Sequence, residues 1–170
     1  MAASDSTSKF MELAREGELL ANAQAGDREA FLELVRHYVR PLYRVVHAMT
    51  RDEMEAARLT QEAFTRAWNA LPEYPSGRRF FPWLLRIAQG LPLAPPARAR
   101  ERDRTDPILA SFAALRREEQ LALALRGAAR FHYEEIAALL DVPIGIAFLR
   151  ISQARGSMLR QADGGAEGEP

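Results

Sequence analysis

Cysteine is absent from the 170 residues. Disulfides and thiolate metal sites are therefore excluded, and a reducing cytoplasm is the simplest location. No apolar run approaches the roughly 20 residues needed to cross a bilayer, so membrane insertion is not expected. There are only three histidines, His37, His47 and His132, and they show neither metal-ligand nor triad spacing. No phosphate-cradling glycine loop is present. These gaps leave no constellation suited to catalysis, and neither a cofactor nor a metal is expected. Lysine is nearly missing too: Lys9 is the only one, so arginine supplies almost all of the positive charge. Arginine offers a forked donor set suited to phosphate and guanine, although a GC-rich genome gives the same substitution for a blander reason.

The net charge is zero, but it is unevenly spread. Residues 1–71 carry nine basic and eleven acidic side chains, residues 72–104 seven and three, and residues 105–170 seven and nine. One central segment is therefore basic between mildly acidic flanks. Phosphate attraction depends on local charge within a Debye length of about 8–10 Å, so the zero total does not exclude a nucleic-acid partner. Hydrophobic residues make up 48% of the chain, enough for a packed core.

Apolar spacing is helical throughout, without strand alternation or a long internal repeat. Phe31, Leu34, Val35, Tyr38, Leu42, Val45, Val46 and Met49 recur at steps of three and four. They mark one helix, or two hinged at Pro41, with Asp27 as a good N-cap. A shorter helix precedes it over about 18–25. Asp52 can cap a third, whose stripe is Ala56, Leu59, Ala63, Phe64, Ala67, Trp68 and Leu71. A loop at 72–77 leads to a fourth, ended by Pro92, Pro95 and Pro96. Further helices are expected at 107–115, 117–129, 133–140 and 144–162. The sequence therefore predicts an all-α protein of two small helical domains, 18–91 and 107–162. A flexible linker, 92–106, joins them, and tails lie at 1–17 and 163–170.

Two segments carry functional signals. Residues 133–155 place a short helix, a tight turn at Val142-Pro143 and a longer helix in succession, with Pro143 at a position that tolerates its missing N–H. Two such helices crossing steeply make a helix-turn-helix, whose second helix enters the major groove. Arg150 and Arg155 would then reach phosphate or guanine, and Ser152 and Gln153 base edges. Ile146 and Leu149 lie opposite the buried stripe, where polar residues are usual. Contact with thymine methyls or with a protein partner would suit them, and the spacing also fits a plain helical hairpin. In the first half, Gln61, Glu62, Thr65 and Arg66 share the polar side of a helix, either a docking face or a solvated one. Next come Tyr74, Ser76, Gly77, Arg78, Arg79, Phe80, Phe81, Trp83 and Arg86, which interleave basic and aromatic side chains. That pattern suits single-stranded DNA, where bases stack on rings and phosphates pair with arginine. The alternative is that Phe80, Trp83 and Leu84 are core.

In this order, a helical block, a basic-aromatic loop, a linker and a helix-turn-helix, the chain resembles the extracytoplasmic-function (ECF) group of sigma-70-family factors. The likeness runs from Gly26-Asp27 through Leu59-Thr-Gln-Glu-Ala-Phe-Thr-Arg-Ala-Trp68 to Phe81-Pro-Trp-Leu-Leu-Arg-Ile-Ala88. It resumes at Leu115–Leu123, Tyr133–Ala137, Val142–Gly145 and Arg150–Arg155, and so spans about 18–160. It implies that the first block is sigma region two and the second is region four. By the same resemblance, Gln61, Glu62 and Phe64 dock on the clamp helices of core RNA polymerase. Tyr74, Ser76, Gly77, Arg78, Arg79 and Arg86 handle the melted minus-ten element. Ile146, Phe148, Leu149, Arg150, Ser152, Gln153 and Arg155 face the minus-thirty-five element as duplex. The implied partners are core polymerase, promoter DNA and an anti-sigma factor, the last being the only route to a membrane. The chain departs from the family pattern at Arg58, where an acidic residue is usual. It departs again along Gln89–Pro96, where basic residues, Asn and Asp are usual. It also departs at Ile146 and Phe148, where a small hydroxyl residue and Lys or Arg are usual. These departures leave a second reading open, a sigma-like decoy or adaptor that binds polymerase or an anti-sigma factor without reading promoters.

Overall fold

The computed structural model describes residues 9–92 and 106–164, with side chains through residue 161. Every regular element among the described residues is helical. The first half consists of α1 (Leu13–Gln24), α2 (Arg28–Thr50), α3 (Glu53–Ala70), a 3₁₀ turn (Leu71–Glu73) and α4 (Phe80–Gln89). The second consists of α5 (Pro107–Ala114), α6 (Arg117–Leu123), a π-helical turn (Ala124–Ala128), α7 (Tyr133–Leu140) and α8 (Ile144–Gly164). Apart from its ends, Pro92 and Asp106, the expected linker lies outside the described residues.

Local chemistry sets the helix boundaries. Asp27 accepts the Glu29 and Ala30 N–H groups, Asp52 that of Glu55, and Asp106 those of Ile108 and Leu109. These carboxylates satisfy amides that the first turn leaves without carbonyl partners. Gly26 ends α1 with φ +97°, a backbone that side chains rarely adopt, and turns the chain into α2. Pro41 does not divide α2, which runs unbroken through it. The apolar residues on both sides of it, Leu34, Tyr38, Leu42 and Val45, are all buried, so packing outweighs the lost hydrogen bond. The expected helix at 117–129 widens into the π-turn at Ala124. That turn ends with Ala129 donating to the Ala124 carbonyl and Phe131 to the Leu125 carbonyl.

Helix α1 begins five residues earlier than the sequence predicts. The cause is Glu16, which is fully buried. Its Oε1 accepts the Tyr38 hydroxyl at 2.8 Å and the Phe80 backbone N–H at 3.1 Å, while Oε2 faces the Arg79 guanidinium at 3.3 Å. Phe80 is the first residue of α4, and the preceding Arg79 provides no side-chain cap. A carboxylate from a remote helix therefore caps α4. The positive end of the helix dipole and Arg79 together offset the cost of burying it. The chain just before α1, expected to be part of a tail, closes the same network. The Met11 N–H donates to the Tyr38 hydroxyl, and the Met11 carbonyl accepts from Arg79 at 2.6 Å.

In the first half, α2 packs on α1 and α3, and α3 on α4. In the second, α8 packs on α5, α6 and α7 through Ala147, Ile151 and Ala154, all buried. One continuous cluster of buried apolar residues runs through both halves. Phe131 is its bridge, fully buried, stacked on Phe81 at 5.3 Å and close to Phe10 at 5.9 Å. Polar contacts flank it. The Lys9 N–H donates to Glu135, and the Arg51 guanidinium donates to the Leu109 carbonyl and lies over the Phe112 ring.

Replacing Glu16 by Ala would leave the Phe80 amide and Arg79 without their shared acceptor. The expected cost in urea unfolding is about 3–5 kcal/mol, with Glu16→Gln, which keeps an acceptor but not the charge, falling between. A loss below about 0.5 kcal/mol for Glu16→Ala would show that the network is not a keystone.

Candidate functional site

Helices α2 and α3 leave an open apolar groove of about 810 Å³ between them. Val35, Val39 and Tyr43, spaced four residues apart on α2, form one wall, and Thr60, Gln61, Phe64 and Thr65 of α3 the other. The floor is aromatic: Phe31 lies 5.0 Å from Trp68 and 6.5 Å from Phe64. Arg40 and Arg44 add positive charge along the α2 side. Of the three residues expected to dock on polymerase, Gln61 is exposed in the groove and Phe64 forms its buried base. Glu62 points elsewhere and pairs with Arg66 at 2.8 Å. The sequence places Val35 in the core stripe of α2; its spacing of four to Val39 and Tyr43 is the signal for this second, partly buried face.

The basic-aromatic segment is divided by burial. Tyr74 is buried, its ring 4.9 Å from Trp83, and its hydroxyl donates to the Arg78 carbonyl. Gln24 on α1 donates to the Tyr74 and Leu71 carbonyls and so ties the loop to the bundle. Gly77 holds φ +76° at the tip, which requires glycine's freedom. Ser76, Arg78 and Arg86 are exposed. Arg79 is held inward by Met11, Glu16 and the Phe10 ring, 5.1 Å from its guanidinium carbon. Phe80 and Phe81 are core, whereas Trp83 is half-buried at the loop. Burial, reinforced by Glu16, holds the Tyr38 phenol neutral well above its ordinary range. The same two causes push Tyr74 up to about 12, against the opposing pull of Arg78 and Arg86.

In the second half, α7 ends at Asp141, whose left-handed backbone (φ 53°) turns the chain sharply. The Val142 N–H closes the turn on the Ala137 carbonyl at 3.0 Å, and the Pro143 carbonyl accepts from Ile146 and Ala147 to start α8. This is a helix-turn-helix. Ile146, Phe148, Leu149, Ser152, Gln153 and Arg155 are exposed along α8. Arg150 is partly covered and lies 3.9 Å from Glu118. Phe148 rests on the Tyr133 ring at 5.4 Å, and Arg126 covers that ring from 5.1 Å.

Residues 34–93 match the family model described as Sigma-70 region 2. Over most of its length the chain is also similar to curated sigma factors. It is 26% identical to the RNA polymerase sigma-H factor of Pseudomonas aeruginosa, over 81% of this chain and 89% of that one. It is 27% identical to the ECF RNA polymerase sigma-E factor of Escherichia coli, over 81% and 88%. This chain belongs to the ECF sigma factors of the sigma-70 family. Its fold is that of CnrH, solved in complex with the cytosolic domain of CnrY, with TM-score 0.68 and 22% identity over 88% of this chain and 98% of that one. The sigma factor RpoE of Bartonella quintana, solved with the anti-sigma factor NepR, is similar at TM-score 0.54 and 19% identity, over 78% and 96%.

The structure accounts for one departure of this sigma factor from the family pattern. Arg58 makes two 2.8 Å bonds to Glu55 and a third, at 3.1 Å, to the Pro92 carbonyl. It thereby fastens Pro92, which belongs to the departing stretch Gln89–Pro96, to α3. Two residues that shape the loop, Glu16 and Gln24, are not legible as such, because their bonds reach partners 64 and 50 residues away in sequence.

The buried tyrosines predict an alkaline signature. Above about pH 10 the unfolded sigma factor releases tyrosyl protons that the folded one retains. The unfolded state then binds fewer protons, so stability is intact below about pH 10 and falls as pH rises towards 12. Urea midpoints across that window should fall less steeply for Tyr74→Phe than for the wild type. Equal slopes would remove Tyr74 as a cause.

Proposed function

We propose that this ECF sigma factor docks its α2–α3 groove on core RNA polymerase and directs initiation at promoters through two DNA-reading surfaces. The observation that carries this reading is the groove itself. It is an apolar, aromatic-floored surface with Gln61 and Thr65 at its edge, built from residues 31–68 and largely inside the segment that matches region two. Gln61 and Phe64 meet the clamp there, and Glu62, paired with Arg66 outside the groove, meets it from the adjacent face of α3. Ser76, Arg78 and Arg86 face the melted minus-ten element. Tyr74 and Gly77 set the shape of that loop, and Arg79 braces it from inside. The helix-turn-helix of α7 and α8 meets the minus-thirty-five element as duplex, with Arg150 and Arg155 on phosphate or guanine and Ser152 and Gln153 at base edges. In domain terms, region two is 18–91 preceded by the first turns of α1, region four is 107–162, and 92–106 joins them.

The mechanism is differential binding. Each DNA surface alone is modest. Docking on polymerase fixes their separation, so that the second contact forms at high effective concentration once the first is made. The polymerase carries out the chemistry, and the sigma factor acts as a transcription regulator in the cytoplasm, where the polymerase works. An anti-sigma factor is the expected inhibitor, a partner of the kind that NepR is for the Bartonella protein.

Run-off transcription with bacterial core polymerase and a pool of host promoters tests this directly. Discrete transcripts that depend on the protein are expected. Thr65 is exposed in the groove, so Thr65→Arg should change folding stability by less than about 0.5 kcal/mol. It should lower core affinity by at least about tenfold, as one unpaired charge set into an apolar interface does. Core binding without transcripts would favour the decoy reading, and undiminished core binding by Thr65→Arg would remove the groove from the interface.

A further inference from the structure

The first turns of α8 expose four large apolar side chains: Ile144 (49%), Ile146 (40%), Phe148 (55%) and Leu149 (47%). None is needed for the core, since the opposite face, Ala147, Ile151 and Ala154, already fills it. Water-facing apolar groups concentrated on one helix end mark a binding surface. The charge of the helix indicates what kind. From Val142 to Ala162 the sequence has no acidic residue, only Arg150, Arg155 and Arg160, although residues 105–170 as a whole are net acidic. This acid-free stretch, which covers all of α8 up to Ala162 and bears three arginines, complements a polyanion. The surface is also pre-shaped, because Phe148 rests on Tyr133 and Tyr133 is covered by Arg126. At Gly145 a Cβ would meet nothing within 4 Å, so the first turn is open to close approach.

Within the major groove the one apolar group on the base edges is the thymine C5-methyl. We infer that α8 specifies its duplex element chiefly through thymine methyls, packed against Ile146, Phe148 and Leu149, with Arg150 and Arg155 supplying phosphate attraction. This rests on the reading of α7–α8 as the upstream DNA-contacting unit. It makes the preferred element thymine-containing at the positions beneath the first two turns of α8. Polar base readout passes to Ser152 and Gln153, further along the helix.

The test uses the full-length protein bound to core polymerase and a duplex library randomised in the upstream element. After selection, thymines of that element alone are replaced by deoxyuridine, which lacks only the methyl. Each replacement under α8 should weaken binding roughly fourfold, as expected for one buried methyl. Leu149→Ala should bind the thymine duplex less tightly and lose most of the difference between thymine and uracil. Equal affinity for thymine and uracil duplexes, with initiation intact, would overturn the methyl readout while leaving the sigma-factor function standing. Unchanged duplex affinity in Phe148→Ala and Leu149→Ala, with loss of co-elution with core polymerase, would instead make this face a protein-docking surface. Loss of both core co-elution and transcripts in the wild type would sink the underlying function and this inference with it.

Discussion

A single carboxylate, Glu16, stands where α1, α2 and α4 converge, and the arrangement of the first half depends on it. A buried charge is tolerable only when its lone pairs are met and its charge is balanced. Here a phenol from α2, the first amide of α4 and a guanidinium from the preceding loop meet those requirements together. Each donor comes from a different part of the chain, so the carboxylate fixes three distances at once. The loop from Tyr74 to Arg79, which carries the exposed Ser76 and Arg78, is thereby fastened at its far end. Gln24 fastens it at the near end. The loop is thus held at both ends by α1, and only its glycine-bearing tip is left to adapt.

The same region links the two halves. Lys9, Phe10 and Met11 lead into α1, and each reaches a different anchor. The Lys9 amide meets Glu135 on α7 and its carbonyl meets His37 on α2. Phe10 lies between Arg79 and Phe131. Met11 bonds Tyr38 and Arg79. Between these contacts and the stack of Phe81 on Phe131, the apolar cores of the two halves are continuous. Truncating Phe131 would therefore loosen both halves, whereas truncating a residue such as Ala154 would be felt mainly in the second.

Helix content, helix order and the capping aspartates Asp27 and Asp52 were legible because they follow from short-range periodicity and from local amide satisfaction. The turn before α8 was legible from Val142-Pro143 for the same reason. What could not be read was anything requiring a partner distant in sequence. Glu16 looks like an ordinary helix-surface acid until α4 is placed beside it. Residues 9–17 look like a tail because they continue a Ser- and Ala-rich N-terminus, and the partners of Phe10 and Met11 lie far along the chain. Phe131 sits between helices, where periodicity is silent. The π-turn after Leu123 was also invisible, since the apolar spacing of an α-helix continues through it.

The arginines show the same limit from the electrostatic side. The sequence places a basic segment at 72–104 and suggests a common role for its charges, yet the fold divides them. Arg79 neutralises Glu16, and in the flanks Arg58, Arg51 and Arg126 are drawn onto backbone carbonyls and aromatic rings. Arg78 and Arg86 stay exposed beside the half-buried Trp83. A guanidinium whose donors are already bonded to a carboxylate or carbonyl has fewer of them left for direct hydrogen bonds to phosphate. Of the three described arginines of that segment, Arg78 and Arg86 are therefore the two that face solvent. In the proposed mechanism, modest contacts at each place gain from being joined on one polymerase. In that same proposal, the apolar contacts of α8 are the part of the recognition that salt does not screen.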